Sequence, residues 1–233
     1  MNTKLKQAVL CDFDGTITLE DTTDLILEHC TGNDWKKTGE LYDNNKINHA
    51  EMNKRFAKFL HASPQEIETL LDNIITIRQG FVKFTSLCKL NKTDFIVVSS
   101  GWDFYIRHIL KPVISNIFFP NLLDNKLFSN LDKTRIISNK IIYDKKSSTW
   151  NMKLPWLKQS CDISSPCKGK VVQNLRRMGI KKIIVIGNSS TDICMAKQAD
   201  RVFSTGSLTT HCHKLKIPHH NFETFDQVSE ALF

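Results

Sequence analysis

Three short apolar runs constrain this chain more than any other feature. They are AVLCD (Ala8–Asp12), DFIVVSS (Asp94–Ser100) and KKIIVIGN (Lys181–Asn188). Each is rich in Val and Ile and lacks the polar alternation of a half-solvated strand. That is how strands buried on both faces of a parallel sheet read. A fourth run, RVFST (Arg201–Thr205), follows the helical pattern TDICMAKQAD. Strands alternating with helical segments predict an α/β fold with a doubly wound parallel sheet.

All three strong runs end in polar residues. The first leads into Asp12 and Asp14, the second into Ser99 and Ser100, the third into Asn188 and then Asp192. Ligands of open α/β sheets bind outside the carboxyl ends of the strands. The sequence therefore predicts one site built from remote segments. A carboxylate at a buried strand end is costly unless paired or bound to a cation. Asp12 and Asp14 are two residues apart, a spacing that puts both on one face of extended chain. This suits work on one phosphoryl group or one cation. Carboxylates act as nucleophiles in phosphoryl transfer, and a hard oxygen site of this kind suits Mg²⁺.

Between Thr18 and Arg78 lie about sixty residues of helical pattern, far more than a βα loop of roughly 2–6 residues. In SPQEIETLLDNII, Ser63 reads as an N-cap, Pro64 as the first helical residue and Glu66 as its capping-box partner. The expected organisation is an α/β core from residues 1–18 and 79–233, with a helical cap at 19–78. A second, irregular insertion at about 116–165 is expected to hold a hairpin, with TRIISNKIIYD turning at Ser138–Lys140.

Composition narrows the function classes. The 233 residues are 41% hydrophobic, enough for a substantial core. No apolar run approaches the roughly 20 residues that span a bilayer, and the basic lead MNTKLK runs quickly into acids rather than into a secretory segment. A cytoplasmic protein without membrane contact is expected. Net charge is +8, which favours anionic ligands. The lysines are interspersed with acids, which argues against nucleic acid as the partner. Seven dispersed cysteines do not form a disulfide framework. Cys161 and Cys167 lack zinc-finger spacing, and the histidines of HCH (His211–His213) are distant, so zinc is not expected. Cys11 and Cys194 read as small core residues.

The motifs in order resemble the haloacid dehalogenase superfamily. DFDGTIT resembles its first motif, VVSSG its second, the lysine of PCKGKVV its third, and GNSSTD its fourth, usually G-D-x-x-x-D. The helical segment after the first motif is similar to the phosphoserine-phosphatase-like branch. The strings IRQGF, VSSGWDFYI and SCDISSPCKGKVV are similar to methionine-salvage phosphatases within it.

The resemblance implies hydrolysis of a small phosphorylated metabolite through an aspartyl-phosphate, possible substrates including the methionine-salvage enol phosphate. It implies Asp12 as nucleophile and Mg²⁺ ligand. Asp14 becomes the general acid and then base, with its carbonyl on the metal. Ser99 becomes a phosphoryl ligand, and Lys168 the neutralising cation, with Lys170 its competitor. Ser100 stands where relatives usually carry glycine. Asn188 stands where they carry a metal-binding aspartate, leaving Asp192 to hold the metal or its water. The lost charge predicts weakened Mg²⁺ binding. It also leaves open a catalytically weakened metabolite-binding or regulatory protein. Asp21, with Thr22 and Asp24, either contacts the substrate or serves as a first-turn acid. Gly101 and Asp103 follow the second motif, and Asp103 either caps a helix or meets the substrate. Arg78, where the chain leaves the helical segment, is a further candidate for an anionic group.

Overall fold

The computed structural model describes residues 6–113, 136–156, 161 and 163–233. Among them, seven strands form one sheet in the order β4-β3-β2-β1-β5-β6-β7. The strands are β1 (Gln7–Cys11), β2 (Asp94–Trp102), β3 (Ile136–Asp144), β4 (Thr149–Lys153), β5 (Lys182–Gly187), β6 (Arg201–Ser204) and β7 (His220–Asn221). All neighbouring pairs are parallel except β3 with β4. The three apolar runs form the central strands. Ala8–Cys11, Phe95–Val98 and Ile183–Ile186 are all buried, because helices cover both faces of such a sheet.

Four helices separate β1 from the rest of the core: α1 (Thr22–Cys30), α2 (Asp34–Asp43), α3 (His49–Phe59) and α4 (Pro64–Ile74). Three of them, α1, α3 and α4, start on a side-chain cap. Asp21 accepts from the Asp24 amide and Asn48 from the Glu51 amide. Ser63 and Glu66 form the reciprocal capping box, a cap worth about 1 kcal/mol. The segment leaves and returns at one place, where Thr18 and Ile77 form an antiparallel bridge. Arg78 secures that place by donating to the carbonyls of Gly15, Thr16 and Glu223. Its guanidinium is thus spent on backbone and is not a free anion ligand.

The remaining helices are α5 (Phe81–Leu90), α6 (Asp103–Leu110), α7 (Lys168–Arg177), α8 (Ile193–Ala196), α9 (Gly206–Leu215) and α10 (Phe225–Leu232). Phe81, Phe84, Phe95 and Phe225 stack edge-on or tilted at 5.1–6.0 Å, joining α5 and α10 to the sheet.

The hairpin lies elsewhere than expected. Ser138–Lys140 is continuous strand within β3, and the chain reverses at residues 145–148, before β4. The reason is Asn139, which looks like a turn residue in sequence but is fully buried. Its amide nitrogen donates to the carbonyls of Ser100 and Ser165, which holds it inside the strand. The rest of the expected 116–165 insertion falls mainly outside the described residues.

Candidate active site

The carboxyl ends of β1, β2 and β5 open onto a cavity of about 150 Å³. Asp12 and Asp14 enter it after β1, Ser99, Ser100 and Gly101 from the end of β2, and Asn188 after β5. Lys168 comes from the first residue of α7. The opposite wall comes from Asp21, Thr23 and Asp24 at the start of α1, and from His49, Met52, Asn53 and Phe56 of α3.

Lys168 is wholly buried. Its Nζ stands 2.5 Å from Asp12 Oδ1 and 2.6 Å from Asp192 Oδ1. Burial alone would lower its pKa, but the two carboxylates outweigh it and hold the ammonium charged. Burial, then the Asp192 charge, push Asp12 well above the usual carboxylate range, against the pull of Lys168. Two buried carboxyl groups thus share one ammonium.

Asp192 is fully buried and is not on the cavity wall. Its Oδ2 accepts from the amides of Asn188 and Ser189, and its Oδ1 takes Lys168. Both oxygens are hydrogen-bonded, and Asp192 braces Lys168 and the turn. The S-S-T-D string satisfies its own turn, as N-cap chemistry favours.

Asp14 is held at both oxygens. Thr22 N donates to Oδ1 at 3.0 Å and Tyr105 Oη to Oδ2 at 2.7 Å. Burial first, then the nearby Asp21 charge, raise its pKa to about 7. A carboxyl so placed carries a proton near neutrality, the condition for a general acid.

Gly101 makes that geometry possible. A Cβ there would clash with Tyr105 Oη and come within 2.8 Å of Asp14 Oδ2. Gly15 does the same for Asn188: it has φ +68°, and a Cβ would collide with the Asn188 side chain.

The Ser99 hydroxyl accepts from Gly101 N at 2.9 Å, which leaves its own O–H to donate. The Ser100 Oγ and Asn188 Oδ1 are buried without a hydrogen-bond partner. Orphaned buried polar atoms in a cavity point to a ligand. An unpartnered amide oxygen beside buried carboxyl groups is an oxygen donor set that fits Mg²⁺.

Asp103 is not brought to the site. Its Oδ1 accepts from Ile141 N and its Oδ2 lies 3.7 Å from Arg107 Nε, so it ties α6 to β3. Three residues of the site had no motif to announce them. Tyr105 is one. The others are His49 and Asn53, which join Trp102 in a buried chain: Trp102 Nε1 donates to Asn53 Oδ1, and the Asn53 amide reaches the His49 ring. Helical spacing places His49, Met52, Asn53 and Phe56 on one face of α3, a pattern that reads equally well as core.

The chain matches the model of the haloacid dehalogenase-like hydrolase family over residues 9–197. It is 30% identical over 234 residues to a 2-hydroxy-3-keto-5-methylthiopentenyl-1-phosphate phosphatase of Geobacillus thermodenitrificans, covering 97% of this chain and 96% of that protein. It is 27% identical over 228 residues to the phosphatase of the same name from Bacillus cytotoxicus, covering 96% and 94%. Its fold is similar to a substrate-bound phosphoserine phosphatase (TM-score 0.69, 17% identity, 99% and 100% covered). It is also similar to a phospho-aspartyl intermediate analogue of phosphoserine phosphatase (TM-score 0.66, 17% identity, 99% and 100% covered). The chain belongs to the haloacid dehalogenase-like hydrolase family and is an enzyme of its phosphatase branch.

Proposed function

We propose that the enzyme hydrolyses a small phosphate monoester through an aspartyl-phosphate on Asp12. The observation that carries the reading is the pairing of two unlike aspartates on one cavity: Asp12 against Lys168, and Asp14 protonated near neutrality between Thr22 and Tyr105. Burial raises both, but the Lys168 charge draws Asp12 back towards the ionised form that attacks, and among the described residues no cation does this for Asp14.

In this reading an Asp12 oxygen attacks phosphorus. The proton on Asp14 passes to the leaving ester oxygen as the P–O bond breaks, and Asp14, now a carboxylate, takes a proton from the water that attacks the phospho-aspartate. Ser99 and Ser100 donate to the phosphoryl oxygens, and Lys168 balances charge on the Asp12 side. Asp12, the Asp14 carbonyl and Asn188 Oδ1 would hold Mg²⁺. Bound there, the ion supplies positive charge against the phosphoryl oxygens, the largest effect available to a reaction that needs up to roughly 10²¹-fold acceleration. The helices α1–α4 act as the cap that closes over the ester.

The substrate we infer is an enol phosphate of the methionine-salvage kind, named for the relatives above. Among the described lining residues Lys168 is the only charged cation, and it is committed to two aspartates. Burial, with Lys168 adding, lowers the His49 pKa to about 4, so His49 is neutral. Among the described residues that wall offers no cationic partner for the carboxylate of an amino-acid ester. Met52 and Phe56 supply apolar surface for a thioether tail. The test is phosphate release from 2-hydroxy-3-keto-5-methylthiopentenyl-1-phosphate beside phosphoserine. The reading predicts kcat/KM at least about 100-fold higher for the enol phosphate, a discrimination of about 3 kcal/mol. Comparable values would remove it. Asn188 favours a second reading, a weakened enzyme that binds metabolites. Thermal stabilisation by the enol phosphate without turnover would support that one.

A further inference from the structure

Cys161, Cys167 and Cys194 converge although the sequence separates them. Their Sγ atoms all lie within 4.8 Å of one another. All three are free thiols; Cys167 is buried, and Cys161 and Cys194 are half-buried. Cys167 is the residue immediately before α7, and Cys194 is the second residue of α8. Cys161 is held in place by a turn in which its amide donates to the Ser164 carbonyl.

Close packing keeps the two helices together. Gly169 lets α7 approach α8, since a Cβ there would come within 2.8 Å of the Cys194 carbonyl oxygen and 3.0 Å of its Cβ. Three thiols at the edge of solvent are a poor substitute for a methyl-lined core. They are a good match to a thiophilic ion: at a Zn–S bond of about 2.3 Å, sulfurs around a tetrahedral ion stand ~3.8 Å apart, so a small inward movement suffices. The half-exposed side leaves the fourth position to water.

We propose that Cys161, Cys167 and Cys194 form a binding site for one thiophilic metal ion of the zinc class, separate from the oxygen-lined cavity. The ion ties the loop before α7 to the start of α8. Lys168 follows Cys167 directly, and Asp192 precedes Cys194 by two residues. The site therefore staples together the two segments whose buried ion pair supports Asp12. Its role is to position these segments. Soft thiolates select such an ion, whereas Mg²⁺ prefers hard oxygen donors.

The test uses the full chain, reduced and freed of metal with chelator, in saturating Mg²⁺. Co²⁺ is added as the probe, because its bonds to thiolate give a near-ultraviolet charge-transfer band that oxygen ligands do not. The expected result is a band saturating at one equivalent, bleached by Zn²⁺, retained in Cys30→Ser and lost in Cys161→Ser and Cys194→Ser. Cys161→Ser alters a half-exposed position, so it keeps the test valid even if Cys194→Ser fails to fold. No band in the wild type, or a band unchanged in Cys161→Ser, overturns the proposal. Neither outcome depends on turnover, so the phosphatase reading stands or falls separately.

Discussion

The Lys168 ammonium sits 2.5 Å from Asp12 Oδ1 where both side chains are all but closed to water. A buried ion pair is hard to break on one side only, because the partner keeps its desolvation cost. Removing one member commonly costs about 3–5 kcal/mol. Lys168→Met should therefore lower unfolding stability by an amount of that order at pH 7. The loss should shrink as pH falls, because Asp12, held by burial well above the usual carboxylate range, takes up a proton and sheds its charge. Turnover should fall by roughly 10²–10³-fold, as when a preorganised charge-stabilising group is removed. Denaturant unfolding at pH 7 and below, with initial rates on a phosphate ester, checks both.

Asn188 Oδ1 is buried and unpartnered on the cavity wall, and an aspartate there would add the charge that the amide lacks. Asn188→Asp should tighten half-saturation by Mg²⁺ by roughly 10–100-fold. A metal titration of initial rate decides it, and superimposable curves for variant and wild type would remove Asn188 from the metal site.

His49 supplies a pH dependence of stability. Its pKa falls from 6.5 in the unfolded chain to about 4 in the folded one, by burial first and the Lys168 charge second. The folded state then binds fewer protons than the unfolded state between those values. Stability is complete above about pH 6.5 and declines as pH drops towards 4. The difference of about 2.5 units corresponds to about 3 kcal/mol at full expression. His49→Asn should flatten the decline over that window. Urea midpoints measured at half-unit steps from pH 7 to 4 read it directly.

Gly101 should not tolerate a methyl group, since a Cβ would overlap Tyr105 Oη. Gly101→Ala is expected to cost roughly 1–3 kcal/mol of stability through overpacking. It should also depress kcat more than Tyr105→Phe does, because it displaces Asp14 as well as the phenol. Parallel kinetics on the two variants test the order, and the reverse order would mean that Tyr105 matters without the close approach at Gly101.

The sheet was legible because its central strands are buried on both faces and so carry uninterrupted β-branched runs. The convergence of Asp12, Asp14, Ser99, Ser100 and Asn188 followed from where those runs end. Lys168 could be placed only through its motif, since a buried lysine looks like a surface one until its two carboxylates are located. Asp103 and Arg78 misled for the opposite reason. Both are polar residues beside the site whose bonding capacity the backbone absorbs, through Ile141 N in one case and the Gly15 and Thr16 carbonyls in the other. Asn139 belongs with them, a turn former whose amide nitrogen two backbone carbonyls hold inside a strand. The α3 wall and the three-cysteine cluster were hidden because they depend on how separate segments pack, and no local spacing records that.

The central claim is that Asp12 carries the phosphoryl group. Reaction with a phosphate ester of a good leaving group, labelled at phosphorus and quenched in acid, traps any covalent species. The account predicts label on the peptide containing Asp12. The label should be absent in Asp12→Asn and should build up in Asp14→Asn, where the leaving group needs no acid but water lacks its base. Label on another residue, or turnover in Asp12→Asn equal to that of the wild type, would contradict it.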